Sequence, residues 1–441
     1  MKIAVAGTGY VGLVAGVAFA SIGHDVTCVD VDEKKIEIMK KGICPIYEQG
    51  LEELMINNKD RLDYTIDYKT AYQNADVIFI GVGTPEQVDG SANLTYVYNV
   101  CEQIIDSINK NTVVVVKSTV PVGTNDKLAK LFNDKLKDKD YKVAVVSNPE
   151  FLAQGTAVRD TLYAPRIVIG VEDKWAEGLM DKLYAPLLKE PYNQTLVKMD
   201  KRASAEMTKY ASNDFLALKI SYVNEIANLC EKLGANIEDV TRGMGFDSRI
   251  GNKFLKSGIG FGGSCFPKDT QALYWLSKQV GYEARLIRET IAVNKEQKIK
   301  LFHQAYNDFD GDLQNKNVAI LGVTFKPGTD DLREAASIDN VKLLLEYGAK
   351  VTVFDPVGLQ NFKKIFGDSI TYCDDIESTI VDKDIVFIMT EWPEVITFPL
   401  EKYIELMKTP IIYDGRNCYT LEEVEKVKKL IYTSIGRKKI N

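Results

Sequence analysis

One cysteine stands out for its company. In GIGFGGSCFPKD, residues 258–269, Cys265 follows four glycines and precedes Pro267, Lys268 and Asp269. Proline suits the first turn of a helix, where its missing N–H is not needed, so a helix is expected from Lys268 to Val280. Cys265 then lies at the positive end of that helix, beside Lys268, and both features favour the thiolate, the form that attacks carbonyl carbon. The glycines are expected to leave backbone N–H groups unshielded and to let a bulky substrate reach the main chain. A lone cysteine is more often a small buried hydrophobe. Here the glycines, the helix start and the Lys-Asp pair point to a nucleophile instead.

Elsewhere the chain supplies elements that could hold a redox partner for that thiol. Ile3–Ala6 reads as a buried strand, and Gly7-Thr8-Gly9-Tyr10-Val11-Gly12 turns it into a helix ending near Ile22. A second strand, Val26–Asp30, ends in an acid about twenty residues on, the setting in which GxGxxG binds a dinucleotide. Backbone N–H groups after Gly9 suit a pyrophosphate. Asp30 can accept from both ribose hydroxyls and repels a 2′-phosphate, so NAD is expected rather than NADP. Further strands are expected at Val77–Ile80, Thr112–Val116 and Val143–Ser147. The turns after them, with Thr84, Thr119 and Glu150, fall on the ligand side of a parallel sheet.

From Lys201 to about Gly234 the apolar pattern is helical, and Lys209 and Asn213, four apart, share one face. That spacing is also common on solvated helices. Helices are expected to continue through the glycine-rich stretch to about Phe309. A second α/β unit starts at Val318–Gly322 and continues at Val351–Asp355, Ile385–Ile388 and Ile411–Asp414. It lacks GxGxxG, and its cations Lys326, Arg333 and Arg416 are candidates for anionic ligands. The fold class is therefore α/β: two Rossmann-like domains (1–198 and 311–441) joined by a long central helix and a helical middle region (199–310).

Composition narrows the function. A chain of 441 residues is too long for one core. A net charge of -7 argues against nucleic acid or an anionic membrane surface as partner. Seven scattered cysteines without a CxxC pair exclude a disulfide framework and a standard zinc site, and fit a reducing compartment. With only two histidines, neither near a motif, the general base is expected to be Glu, Asp, Lys or water. Residues 3–23 imitate a secretory signal, but their glycines read as strand, turn and helix, and no stretch is long enough to span a bilayer, so a cytoplasmic protein without a metal is expected.

The assembled motifs resemble the UDP-glucose 6-dehydrogenase family of nucleotide-sugar dehydrogenases. GTGYVG, VGTP (82–85), KSTVP (117–121), SNPEFLAQG (147–155), SRIGNKFLK (248–256), GFGGSCFPKD (260–269), FKPGTDDLRE (325–334) and DGRN (414–417) carry the likeness, from Lys2 to about Arg437. The resemblance implies oxidation of UDP-glucose at C6 to UDP-glucuronate, with two NAD+ reduced per sugar. A thiohemiacetal and then a thioester on Cys265 would link the two steps, because an aldehyde loses hydride only after a nucleophile has added. It implies Glu150 as base in hydrolysis, Lys209 and Asn213 on the C6 oxygen, and Asp269 and Thr119 positioning water or the reacting hydroxyl. For NAD it implies Gly7, Gly9, Tyr10, Val11, Gly12, Asp30, Lys35, Thr84, Thr119, Glu150, Lys268 and Arg333. For the UDP-sugar it implies Glu150, Phe151, Leu152, Lys209, Asn213, Phe254, Leu255, Lys256, Gly262, Cys265, Phe266, Phe325, Lys326 and Arg416. Arg249 matches an arginine that the family lends across a homodimer. Gln154 departs from the pattern, standing where the family often has Glu.

Three other readings share parts of this pattern. A sister enzyme would run the same chemistry on GDP-mannose or a UDP-N-acetyl hexosamine; the CFPKD run and the FLK at 254–256 favour glucose. A nucleotide-sugar-binding paralogue would keep the fold but has no use for Cys265 together with Lys209, Asn213 and Glu150. A two-electron hydroxyacid reductase would share the first domain and likewise need no thiol.

Overall fold

The computed structural model describes residues 1–440. It divides into two compact units, Met1–Ser212 and Asn213–Asn441. The first is built on eight strands: β1 (Lys2–Ala6), β2 (Asp25–Val29), β3 (Leu62–Thr65), β4 (Val77–Ile80), β5 (Thr112–Val116), β6 (Val143–Ser147), β7 (Arg166–Gly170) and β8 (Thr195–Met199). Their order is β3-β2-β1-β4-β5-β6-β7-β8, parallel throughout except where β6 meets β7. The chain reverses direction of winding between β1 and β4, and ligands of open α/β sheets bind at such a switch. Because side chains alternate along a strand, Ile3 and Val5 pack into one core while Ala4 and Ala6 pack into another on the opposite face. Burial on both faces is why these strands read as continuous apolar runs.

The second unit carries β9 (Asn317–Leu321), β10 (Lys350–Phe354), β11 (Thr371–Tyr372), β12 (Ile385–Ile388), β13 (Ile411–Asp414) and β14 (Ile431–Ser434). Their order, β11-β10-β9-β12-β13-β14, repeats the winding of the first six strands of the other sheet. Both halves are thus Rossmann-like, as the sequence predicts. β3 alternates apolar and polar residues and β11 has only two residues, so neither forms an apolar run; β7, β8 and β14 are further strands that the sequence reading does not predict.

A 32-residue helix, Arg202–Leu233, crosses the division between the units. Helices Ile237–Gly245, Phe266–Gln279, Arg285–Lys298 and Lys300–Asp308 follow it. The expectation of helix through the glycine-rich stretch is corrected: residues 246–265 form no α-helix. Glycine supports positive φ there, at Gly251, Gly260 and Gly263, which an α-helix does not accommodate. Among the described residues no helix is long and apolar enough to cross a membrane, and no group of three or more His, Cys, Asp or Glu is placed to hold a metal.

Candidate active site

The turn after β1 is shaped for a dinucleotide. Gly7 has φ +90°, and a Cβ at Gly12 would lie 2.0 Å from the Gly7 carbonyl oxygen, so no side chain fits at Gly12. Gly9 caps the helix Tyr10–Ser21 without a side-chain bond, and a Cβ there would have nothing within 4 Å. That opening at a helix N-terminus suits a pyrophosphate. Tyr10 donates its hydroxyl to the Tyr47 carbonyl, 2.9 Å away. Asp30, directly after β2, accepts from Thr8 N and Oγ1 through one oxygen and from Asp32 N through the other. Burial opposes its charge, but these bonds and the Lys35 ammonium at 3.6 Å outweigh it and hold the carboxyl below its usual range. An ionised acid here accepts ribose hydroxyls and disfavours a 2′-phosphate. Thr84 Oγ1 donates to the Thr119 carbonyl (2.8 Å), tying together the loops after β4 and β5.

A buried charged cluster lies at the ends of β5 and β6. Lys209 Nζ is 3.1 Å from Glu150 Oε1, with both side chains almost wholly buried. Glu150 Oε2 accepts from Leu152 N at 2.7 Å. Lys117 Nζ donates to Asn148 Oδ1 (3.3 Å), which also accepts the Tyr184 hydroxyl (2.5 Å). Burial, only partly offset by the attraction of Glu150, pushes the Lys117 ammonium down to about 8. Phe151 is stacked under the Arg166 guanidinium, 4.3 Å from the ring centroid, and Lys209 Nζ is 5.5 Å from the same ring. Leu152 packs against the first core. Neither Lys117 nor Asn148 is predicted as a site residue, although Lys117 opens the KSTVP segment and Asn148 lies in SNPEFLAQG. Glu206 is also absent from that set: it receives Gly123 N, Asn125 N and Asn125 Nδ2, capping the helix Thr124–Lys135 from a distance in sequence of about eighty residues.

In the second unit Cys265 is the N-cap of helix Phe266–Gln279, with Pro267 in its first turn. Its Sγ is 3.8 Å from Ser264 Oγ. One turn on, Asp269 is fully buried; it accepts from Asn213 Nδ2 and from Lys268 Nζ, each at 2.6 Å. Lys268 thus pairs with Asp269. Beside Asn213, Asp214 is buried with neither carboxylate oxygen hydrogen-bonded. Burial, reinforced by the Asp269 charge, pushes its carboxyl up to about 8.

The glycines act differently from the expectation of an unshielded main chain. Gly258 N donates to Asn224 Oδ1 and Gly263 N to the Arg333 carbonyl, both at 2.8 Å. A Cβ at Gly262 would meet the Glu334 carbonyl oxygen at 2.4 Å, and one at Gly263 the Phe325 ring at 2.8 Å. Glycine is needed at 262 and 263 because protein packs there.

Phe254, Lys256, Gly262, Phe266, Phe325 and Arg416 line one cavity of about 240 Å³ in the second unit. Phe254 and Phe266 stand 6.2 Å apart between ring centroids. Arg416 is braced by the carbonyls of Met389 (2.8 Å) and Phe325 (3.0 Å), and Glu391 on the wall is 3.4 Å from its Nε. Two aromatic faces and two cations suit a ligand with a flat base and phosphates. Leu255 turns instead into the core. Lys326 lies 5.6 Å from the Phe325 ring. Arg333 and Arg249 each fork onto an acid two residues back, Asp331 and Asp247, and both are largely exposed.

Comparison with known proteins decides what this arrangement belongs to. Residues 1–188 match the NAD binding domain of the UDP-glucose/GDP-mannose dehydrogenase family, 203–296 its central domain and 319–421 its UDP binding domain. The chain belongs to the UDP-glucose/GDP-mannose dehydrogenase family. Within that family it is 46% identical to the UDP-glucose 6-dehydrogenase YwqF of Bacillus subtilis, over 100% of this chain and 98% of the relative. It is 45% identical to a UDP-glucose 6-dehydrogenase of Rhizobium meliloti, over 99% of this chain and all of the relative. The solved UDP-glucose dehydrogenase of Pyrobaculum islandicum superposes with a TM-score of 0.89 at 36% identity, covering 99% of this chain and 98% of that one. As a member of the family the chain is an NAD-dependent oxidoreductase, and the Gly9 opening with the ionised Asp30 fits that cofactor.

Proposed function

We propose that this chain oxidises UDP-glucose to UDP-glucuronate, a four-electron change completed on one enzyme-bound sugar. The observation that carries the reading is Cys265 at the head of a 14-residue helix, one turn from a buried Asp269 already held by Asn213. Two-electron alcohol oxidation has no need of a thiol; oxidising the resulting aldehyde needs an added nucleophile, and a thiol supplies one. NAD supplies the hydride acceptor, two molecules per sugar.

Cys265 adds through sulfur to the C6 aldehyde, giving a thiohemiacetal whose oxidised form is a thioester. Lys209 and Asn213 donate to the C6 oxygen as negative charge builds on it. Glu150 takes a proton from the water that attacks the thioester, the C–O bond forms, the C–S bond breaks, and the thiolate departs. Gln154 has no carboxylate to share that work. Asp269 and Thr119 position the water and the reacting hydroxyl.

Gly7 to Gly12, Asp30, Lys35, Thr84, Lys268 and Arg333 hold NAD. Phe151, Leu152, Phe254 to Lys256, Gly262, Phe266, Phe325, Lys326 and Arg416 hold the UDP-sugar, in a division of labour 1–198, 199–310 and 311–441. On the long helix Phe215, Tyr222 and Leu229 are exposed at seven-residue intervals, the repeat of a helix seam. We read that stripe as the seam of a cytoplasmic homodimer in which Arg249 serves the partner's sugar.

Spectrophotometry of NADH formed per UDP-glucose consumed, with the product identified, tests the reading. Two NADH and a uronate are expected; one NADH and an aldehyde would overturn it. A panel with GDP-mannose and UDP-N-acetyl hexosamines is expected to show turnover on UDP-glucose above the others.

A further inference from the structure

Glu150 is 5% exposed, so a proton taken from the attacking water cannot pass straight to bulk solvent. Its chain neighbour four residues on, Gln154, is an amide and cannot relay it. A cavity of about 50 Å³ adjoins Glu150, lined by Lys117, Asn148, Asp160, Arg166 and Tyr184 among others. That is room for an ordered water with several polar partners. Every charged or titratable group meeting Lys117 there has a known place. Glu150 and Asn148 come from the segment after β6, Lys209 from the long helix, Tyr184 from helix Lys174–Tyr184, Arg166 from β7 and Asp160 from helix Ala157–Leu162. Lys209 and Arg166 carry charge onto the Phe151 ring and, for Lys209, onto Glu150 itself. Tyr184 is unsuited to accept, since burial pushes its hydroxyl well above the usual range. Asp160 is engaged within its own loop, accepting from Ala153 N and Thr156 Oγ1, which leaves Lys117, with one side-chain acceptor, Asn148, at 3.3 Å.

We propose that Lys117 is a positioning residue that serves as the proton outlet of Glu150 in thioester hydrolysis. The inference rests on the reading of Glu150 and Cys265 given above. In the step, the proton that Glu150 has taken from water moves through cavity water to the neutral Lys117 amine, regenerating the carboxylate. The resulting ammonium then releases it past Asp160 and Arg166. No electrons move, and one proton leaves by this route per thioester cleaved; the other proton of the attacking water stays on the new carboxyl group until that ionises. Only the uncharged amine can accept, and its fraction rises with pH through about 8. Hydrolysis of the acyl-enzyme is therefore faster above that pH than below it.

The test is single-turnover decay of the acyl-enzyme between pH 7 and 9.5 in the full-length wild type, Lys117→Arg and Lys117→Gln, alongside the rate of the first NADH. In the wild type the decay rate rises through about pH 8. Both variants are expected to decay about 10²–10⁴-fold more slowly at pH 9, the span for loss of a proton-transfer partner. They are also expected to lose the rise with pH and to keep the first NADH rate and the KM for UDP-glucose. Arginine keeps the charge but cannot give up its proton, so a Lys117→Arg enzyme with wild-type decay and pH profile overturns the outlet. So does a Lys117→Gln enzyme with unchanged decay, or equal slowing of the first oxidation and of decay. Should neither variant fold, a flat wild-type profile from pH 7 to 9.5 overturns it alone. A wild type that forms no acyl-enzyme at all sinks the Cys265 reading itself, which separates the two failures.

Discussion

Asp214 offers a sharp physical test of the buried acid pair. Its carboxyl is 7% exposed, neither oxygen is hydrogen-bonded, and Asp269 lies close enough to add repulsion. The folded chain therefore holds the Asp214 proton up to about pH 8, whereas the unfolded chain releases it near 3.8. Between those values the native state binds one proton more than the unfolded state, so stability falls as pH rises and levels off above 8. At about 1.4 kcal/mol per pH unit, the stretch from pH 5 to 8 costs roughly 4 kcal/mol. Asp214→Asn keeps the shape and removes the ionisation, and with it this slope. For a unit of this size about 2–4 °C of Tm corresponds to 1 kcal/mol. The melting temperature of Asp214→Asn relative to wild type should then rise by about 10 °C from pH 5 to pH 8. Differential scanning fluorimetry at four pH values measures it directly. Parallel melting curves for the two proteins across that range would refute the reasoning, whatever their absolute offset.

Other predictions concern the two ligands. Asp30→Ala removes the ribose acceptor and is expected to raise the KM for NAD about 10–100-fold, the worth of charged hydrogen bonds at about 1.5–3 kcal/mol, while narrowing the preference over NADP; unchanged discrimination in initial-rate kinetics would count against the cradle. Asn213→Ala takes away an oxyanion donor and the partner of Asp269, so kcat should fall about 10²–10³-fold with UDP-glucose still binding by calorimetry.

The nucleotide end of the site is legible in the sequence because it is local. GTGYVG and Asp30 sit on one β-α-β unit, and the six residues that shape the turn are contiguous. Cys265 is legible for the same reason, through Pro267 and the helix it starts. The partnerships are not. Glu150 meets Lys209 and Asn213 meets Asp269 across 59 and 56 residues, and only the fold brings them together. Lys117 opens the KSTVP segment, yet a lysine at a strand end carries no sign of burial. Leu255 sits within an FLK run that reads as one binding segment, but its side chain faces the core. The glycines at 262 and 263 report close packing by Glu334 and Phe325, and Gly262 also borders the cavity. Pattern alone cannot tell which neighbour fills the missing Cβ.

The most direct measurement is intact-protein and peptide mass spectrometry of quenched reactions with UDP-glucose and NAD, on the wild type and on Cys265→Ser. The wild type should carry a UDP-glucuronyl adduct on the peptide that contains Cys265, and Cys265→Ser should carry none and lose about 10³-fold or more in turnover. Two NADH per sugar with no adduct at any time, and a Cys265→Ser enzyme that turns over normally, would contradict the account.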